Sequence, residues 1–276
     1  AIVDTARSAL AQMLMSRDGP ALQPGTRSYA RSWVRDGAMM TEGLVRSGHA
    51  EVAAAFVGWY APHQFSNGKV PCCVDARGSD PVPENDSHGE LIFAIAELWR
   101  YTHDRTVLDR YWPTVQRAIA YMDRLRESER GAANQTAERR ALYGLMPASI
   151  SHEGYSAKPM HSYWDDFWAL QGYDDAVLLA KARGDDAEAL RIAQSRDAFR
   201  GDLKASIDLS VRQHRIDYLP GAAELGDFDA TSTTIALSPG DGQTWLPPAL
   251  IEATFERYWQ GFVDRRDGKR AWEDYT

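Results

Sequence analysis

Apolar residues recur along this chain at helical spacing, and two kinds of helix alternate. Segment 107–125 places Val107, Leu108, Tyr111, Trp112, Val115, Ala118, Ile119, Met122 and Leu125 on one stripe. Arg110, Thr114, Arg117, Asp123 and Arg124 take the other side. That is an amphipathic helix with one wet face and a candidate kink at Pro113. Segment 249–263 repeats the pattern with Leu250, Ile251, Phe255, Tyr258, Trp259 and Phe262, and segments 50–60 and 187–207 follow it more weakly. Between these lie runs that are apolar nearly all round: part of 34–45, then 91–99 and 167–180. A helix without a polar face has to be buried on every side. Strand-like alternation is scarce, with short candidates only near 143–150 and 211–219.

After a first helix at 2–15, the order is buried helix then half-wet helix, repeated about four times. Strict alternation of this kind predicts an all-α fold in which an inner ring of helices is wrapped by an outer one. The connections are unequal. Those leading into buried helices are long and rich in Gly, Pro, Asn and Tyr: 16–33, 61–87, 127–163 and 208–228. Those leading out are short, such as 46–49, 102–105 and 182–186. Long loops gathered at one end of a helical barrel would build a site there. Residues 127–140 read as a surface excursion. No linker divides the chain, so residues 1–276 are expected to form a single helical domain.

Composition narrows the function classes. A net charge of −8 argues against a nucleic-acid backbone or an anionic membrane surface as partner. No apolar run is long enough to span a bilayer. The two cysteines, Cys72 and Cys73, are adjacent. They have neither the spacing of a redox motif nor the ligand count of a zinc site. A vicinal disulfide between them would be strained, so they read as reduced and structural. No metal and no cofactor is expected. Compartment and oligomeric state stay open.

The candidate chemistry sits where the buried helices begin. Four clusters combine aromatic, basic and acidic residues: 28–40, 81–100, 161–176 and 222–237. Carboxylates belong at helix N-termini on structural grounds alone. Trp and Tyr beside them are what a carbohydrate site needs, because a flat ring stacks on a sugar face while carboxylates and Arg hold its hydroxyls. In the first cluster Trp33, Arg35 and Asp36 are the candidates; in the second, Asp86 and His88, with Glu84 behind them. Ser87 and Glu90 fit a capping box, so Glu90 reads as structural. The third cluster, with its approach, supplies Glu153, Tyr163, Trp164, Asp165 and Asp166. A glycosidase general acid must stay protonated near neutral pH. A helix N-terminus lowers a carboxyl pKa, whereas aromatic burial and a like-charged neighbour raise it. Ser162 and Asp165 also fit a weaker capping box, and successive helical residues diverge by about 100°. One of Asp165 and Asp166 is therefore expected to be chemical and the other structural. Asp174 and Asp175 could pair with Arg183 or face the site. In the fourth cluster Asp229 reads as an N-cap, and Glu224, with no capping role, is the best second carboxylate.

These residues resemble a family. An alternating double ring of helices looks like the (α/α)6 toroid of six-hairpin glycosidases, which includes glucoamylases, trehalases and α-glucosidases. An Arg-Asp pair after an aromatic, here Arg35 and Asp36, resembles the residues that grip the terminal sugar in glucoamylase-like enzymes. A Trp followed by two acids, here Trp164, Asp165 and Asp166, resembles the segment bearing their general acid. The resemblance implies Asp165 as the acid, with Asp where glucoamylases carry Glu. It also implies six helical pairs where about four are legible, so the toroid is expected to be incomplete, with the chain truncated at its C-terminus. The catalytic base would then be Glu224 or lie beyond Thr276. The expected function is hydrolysis of an oligosaccharide or glycoside at its non-reducing end with inversion. The alternatives are a non-catalytic carbohydrate-binding scaffold, and a magnesium-dependent terpenoid synthase using Asp165 and Asp166.

Overall fold

The computed structural model describes residues 1–272. Among them are nine α-helices: α1 (Ile2–Met15), α2 (Val34–Arg46), α3 (Ala50–Tyr60), α4 (Ser87–Thr102), α5 (Arg105–Ser128), α6 (Tyr163–Arg183), α7 (Asp186–His214), α8 (Ala230–Leu237) and α9 (Pro248–Arg266). Three short strands, β1 (Ser32–Trp33), β2 (Cys73–Asp75) and β3 (Gly78–Ser79), and several single-turn 3-10 helices accompany them. The class is all-α.

Burial separates α4 and α6, covered nearly all round, from the half-wet α5, whereas α2, expected among the buried helices, leaves Met39 40% exposed. In α4 every residue from Ser87 to Leu98 is buried. In α6 only Asp174 and Leu178 interrupt burial between Tyr163 and Ala180. By contrast α5 buries Val107, Leu108, Tyr111, Trp112, Val115, Ala118, Ile119 and Met122 and leaves Arg110, Arg117 and Arg124 in water. It runs unbroken through Pro113. The last helix departs from the expectation. In α9 Tyr258, Trp259 and Phe262 are exposed and Leu250, Ile251 and Phe255 are half-buried, so none of its apolar stripe is fully covered among the described residues.

The chain forms two compact units, Ala1–Arg124 with Ala169–Asp197, and Leu125–Trp168 with Ala198 onward. In the first unit α2 packs on α3 and α4. Gly37 of α2 lies against the Phe56 ring of α3 so closely that a Cβ would fall 2.0 Å from it. Gly172 of α6 meets Gly89 of α4 in the same way, with a Cβ at 2.6 Å from the Gly89 Cα. Two glycines face to face let the backbones of these helices touch, which any side chain would prevent.

The same unit holds an antiparallel sheet in the order β1-β2-β3, with Trp33 opposite Cys73 and Asp75 opposite Gly78. The turn from β2 to β3 needs a residue at φ +103, which Gly78 supplies. The sequence reading had placed strand signal elsewhere. Residues 143–150 contribute one isolated bridge, Ser149 to Met160, and 211–214 belong to α7. A strand of two or three residues is too short to show a period of two, so the turn residues were the only legible sign of this hairpin.

In the second unit, isolated bridges join Ser149 to Met160, Ser162 to Ala222 and Pro220 to Phe228. They bind the loop before α6 to the loop before α8. Asp229 caps α8 as expected, its carboxylate accepting the N–H groups of Thr231 and Ser232.

The Gly89–Gly172 approach gives the first prediction. Gly172→Ala should lower stability by about 2 kcal/mol, overpacking outweighing the ~1 kcal/mol by which Ala is favoured over Gly inside a helix. A urea midpoint that is unchanged or raised would show that the two helices have room to spare.

Candidate active site

The candidate residues fall into one group in each unit. In the first unit Trp33 is the N-cap residue of α2, so Arg35 and Asp36 occupy its first turn. Trp33 is buried beside Cys72 and Cys73, with the Arg31 guanidinium 5.6 Å from its ring centre. Arg35 reaches Glu84 at 3.1 Å and Asp86 and Asp36 at 3.8 Å each. Burial opposes its charge, but Asp86, Glu90, Glu84 and Asp36 together raise its pKa. The guanidinium is the counter-charge around which these carboxyls assemble.

Glu90 corrects the sequence reading. Ser87 is the first residue of α4 rather than its cap, and its hydroxyl donates to Asp86 at 3.3 Å. The capping box is not formed. Glu90 is fully buried with neither carboxyl oxygen hydrogen-bonded among the described residues. Burial first, then the charges of Asp86 and Glu84, push its pKa well above the usual range, with Arg35 pulling the other way. It is held as a neutral acid, a feature legible in sequence only as an acid on an otherwise apolar helix.

His88 is also fully buried. Its Nδ1 accepts the Val70 N–H at 3.1 Å, and its ring stands edge-on to Tyr121 with centres 4.9 Å apart. Burial lowers its pKa to about 3, so the imidazole is neutral. Among the later acids, Asp174 pairs with Arg196, Asp175 with Arg100, and Arg183 with Asp109.

The second unit gathers Asp165, Asp166 and Glu224. The first two occupy the opening turn of α6 and are fully buried. They point to different partners, as the helical geometry requires. Asp165 accepts the Ser149 hydroxyl at 2.6 Å, while Asp166 accepts the Met146 N–H at 2.8 Å. The Ser162 hydroxyl accepts from that of Ser151 at 3.0 Å. The second oxygen of Asp166 has no hydrogen-bond partner among the described residues. Burial lifts the Asp166 pKa to about 7, against the Met146 N–H and the charges of His161 and Arg126, which lower it.

Glu224 is set the opposite way. His161 Nδ1 lies 2.5 Å from its Oε1, and the His161 backbone N–H also donates to this carboxylate, at 3.1 Å to Oε2. On its other side His161 Nε2 faces Glu129 at 3.3 Å. Burial resists the imidazolium most, yet the hydrogen bonds to Glu129 and Glu224 and their charges lift its pKa to about 9. Burial alone would raise the Glu224 pKa, but the hydrogen bond and charge of His161 outweigh it and hold the group below its ordinary value. Asp166 and Glu224 lie close enough that the charge of Glu224 helps to raise the Asp166 pKa. His161 opens the third cluster of the sequence, but its pairing with Glu129 is not legible there. Glu129 lay in a segment taken as a surface excursion, and nothing local links it to His161, 32 residues away.

The remaining candidates are placed as follows. Tyr163 is buried with its hydroxyl 2.8 Å from that of Ser206. Trp164 is buried edge-on to His152, and His152 Nε2 lies 3.1 Å from Asp229. Glu153 is exposed in a tight loop, with φ +69. A surface cavity of ≈ 280 Å³ lined by residues of α7 and α9 and by Trp245 contains none of these groups. Matched titratable side chains, rather than volume, single out the site.

The fold resembles that of a glycosidase. A rhamnosidase from Klebsiella oxytoca, solved with rhamnose bound, superposes with a TM-score of 0.53 at 13% identity. The match covers 96% of this chain and 53% of that one, so this chain spans about half its length. At that identity the likeness carries the fold alone: an all-α, toroid-like arrangement of helices. No family model matches the chain, and no curated protein matches it.

The His161 clamp sets a pH dependence. Its folded pKa is raised from 6.5 to about 9, so the stability it adds is fully present below 6.5 and is lost as pH rises through about 9. Because the Glu224 side chain is 30% exposed, the contribution is discounted to about 2 kcal/mol. The stability difference between wild type and His161→Gln should therefore be largest in mildly acidic buffer and shrink through the alkaline range. Denaturant titrations giving a difference that does not vary with pH would contradict the clamp.

Proposed function

We propose that this protein is a glycoside hydrolase acting on a non-reducing-end sugar, with Asp166 as general acid and Glu224 as general base. One observation carries the reading: two carboxyls of one unit have environments that push their proton affinities apart. Asp166 is lifted to about 7 by burial, and Glu224 is held ionised by His161. Such a split is how two identical functional groups take up acid and base roles. Asp166 would protonate the leaving oxygen, and Glu224 would draw a proton from the attacking water. That assignment moves the acid from Asp165, which the family resemblance implies, to its neighbour. The hydroxyl of Ser149 occupies Asp165, which suits it to positioning.

The toroid-like fold, shared with a rhamnosidase, supports a sugar substrate. A 6-deoxyhexoside such as a rhamnoside stands first, with glucosides next, because a site built from aromatic faces and carboxylates accommodates either. In the first unit, Arg35 with Asp36 is the pair suited to neighbouring sugar hydroxyls. Inversion follows if the acid and base stand about 6.5–9.5 Å apart with a water between them.

A second reading is a carbohydrate-binding protein without turnover. It is favoured by the engagement of both Glu224 oxygens with His161, which leaves less freedom to orient a water. The paired-aspartate magnesium alternative gains no support, since Asp165 and Asp166 answer to separate donors.

Aryl rhamnosides and glucosides, assayed separately, distinguish these readings. Asp166→Asn should lower kcat by about 10²–10⁴-fold, and least for substrates with good leaving groups. Asp165→Asn should cost less. The anomer first released, read by proton NMR, should be inverted. Full activity in Asp166→Asn, or a retained anomer, would sink this mechanism. Saturable sugar binding with no release of aglycone would select the binding protein.

A further inference from the structure

The hydrolase reading makes no use of Cys72 and Cys73, yet their surroundings are built with some care. Both side chains are buried in one apolar cluster with Trp33, against which Val82 packs. Their sulfurs lie 2.9 Å apart, and both are thiols. Cys73 stands opposite Trp33 across the β1–β2 ladder, and its carbonyl accepts the Asp80 N–H at 3.0 Å. The Cys72 carbonyl accepts the Val34 N–H at 3.0 Å. These two carbonyls thus tie the pair to the start of α2 and to the residue that follows β3.

We propose that Cys72 and Cys73 are a redox-modification site that closes reversibly to a vicinal disulfide. The oxidant class is a small disulfide such as oxidised glutathione. Cys73 gives up its proton, its sulfur attacks one glutathione sulfur, and the other glutathione leaves as a thiolate that takes a proton. Cys72 then loses its proton and attacks the Cys73 sulfur of the mixed disulfide, releasing the second glutathione. Two S–H bonds of the protein become one S–S bond, and one glutathione disulfide becomes two thiols. The two protons pass to the departing thiolates.

Geometry favours this over a metal site formed by the same residues. Asp80 places a third donor near both sulfurs, all three atoms lying within 4.8 Å of one another. Asp80 is nonetheless engaged, with Arg31 on one oxygen and the Val82 N–H on the other. An ion holding each sulfur at about 2.3 Å in a tetrahedral arrangement would have to push the two sulfurs apart. Closing a disulfide draws them together instead.

The bond would be labile. Adjacent Cα atoms are about 3.8 Å apart across a trans peptide, short of the usual disulfide span of about 4.4–6.8 Å, and such strain makes a bond easier to reduce. Both residues are 1% exposed, so entry of the oxidant requires the turn carrying exposed Ala76 and Arg77 to open. Once closed, the bond stiffens the strand that receives the Val34 N–H and faces Trp33.

Trypsin cleavage after Lys69 and Arg77 releases both cysteines in one peptide, Val70–Arg77, which makes a direct test simple. The folded protein is incubated over a series of ratios of oxidised to reduced glutathione, and in parallel with diamide, a smaller oxidant. Remaining thiols are then alkylated and the peptide weighed. The expected result is loss of both alkylatable thiols, a peptide lighter by two hydrogens, return of both thiols with dithiothreitol, and slower amide exchange at Val34 in the oxidised form. Cys72→Ser and Cys73→Ser should each abolish the two-hydrogen loss. Three results would overturn the proposal: thiols that stay alkylatable with both oxidants, glutathione adducts that never close, or protection by added Cd²⁺ without oxidation by either reagent.

Discussion

The constraint from which the site follows is that α4 and α6 have no wet face, yet both carry carboxyls. An ionised carboxylate taken out of water must be paired, hydrogen-bonded or protonated. The buried acids on these helices meet that demand in several ways, Glu97 and Asp175 by sharing Arg100. Asp165 takes a hydroxyl, Asp166 takes one backbone N–H and keeps its proton up to about 7, and Glu90 stays neutral beside the charged Arg35 cluster. Burial raises the proton affinity of Glu90, Asp166 and Asp175 alike, and Arg35, the Met146 N–H and Arg100 respectively pull against it.

The proposed chemistry uses that balance. Burial makes Asp166 a proton donor near neutral pH, and His161 does the reverse for Glu224 by lending it a positive charge at hydrogen-bond distance. His161 is itself kept charged by Glu129 on its other face. The loop bearing His161, the one bearing Glu224 and the end of α5 are therefore tied through one imidazolium. The backbone bridge between Ser162 and Ala222 fixes the same two loops independently of charge. Position comes from the backbone pairing, and protonation state from the side chains.

Much of this fold was legible in the sequence because the decisive signal was local. The 107–125 stripe became the buried face of α5, the apolar runs at 91–99 and 167–180 became the all-round-buried parts of α4 and α6, and Asp229 caps α8 as its spacing predicts. The failures are equally specific. Ser87 and Glu90 had capping-box spacing, but α4 starts one residue too early for Ser87 to cap it, and Glu90 turned inward. The β2–β3 hairpin was too short to show alternation. The apolar stripe of α9 was real as a pattern but is not fully covered. Most instructive is Glu129–His161–Glu224, in which the partners are separated by 32 and 63 residues and meet only once the loops are folded.

The central claim is that Asp166 and Glu224 hold opposite protonation states near neutral pH. Carbon-13 NMR of the side-chain carboxyls reads this directly, with Asp166→Asn and Glu224→Gln to assign the two resonances. The account predicts that Asp166 titrates near 7 and that Glu224 titrates below its ordinary 4.5. An Asp166 resonance that titrates at the ordinary 3.8, or a Glu224 resonance that titrates above 4.5, would contradict the account.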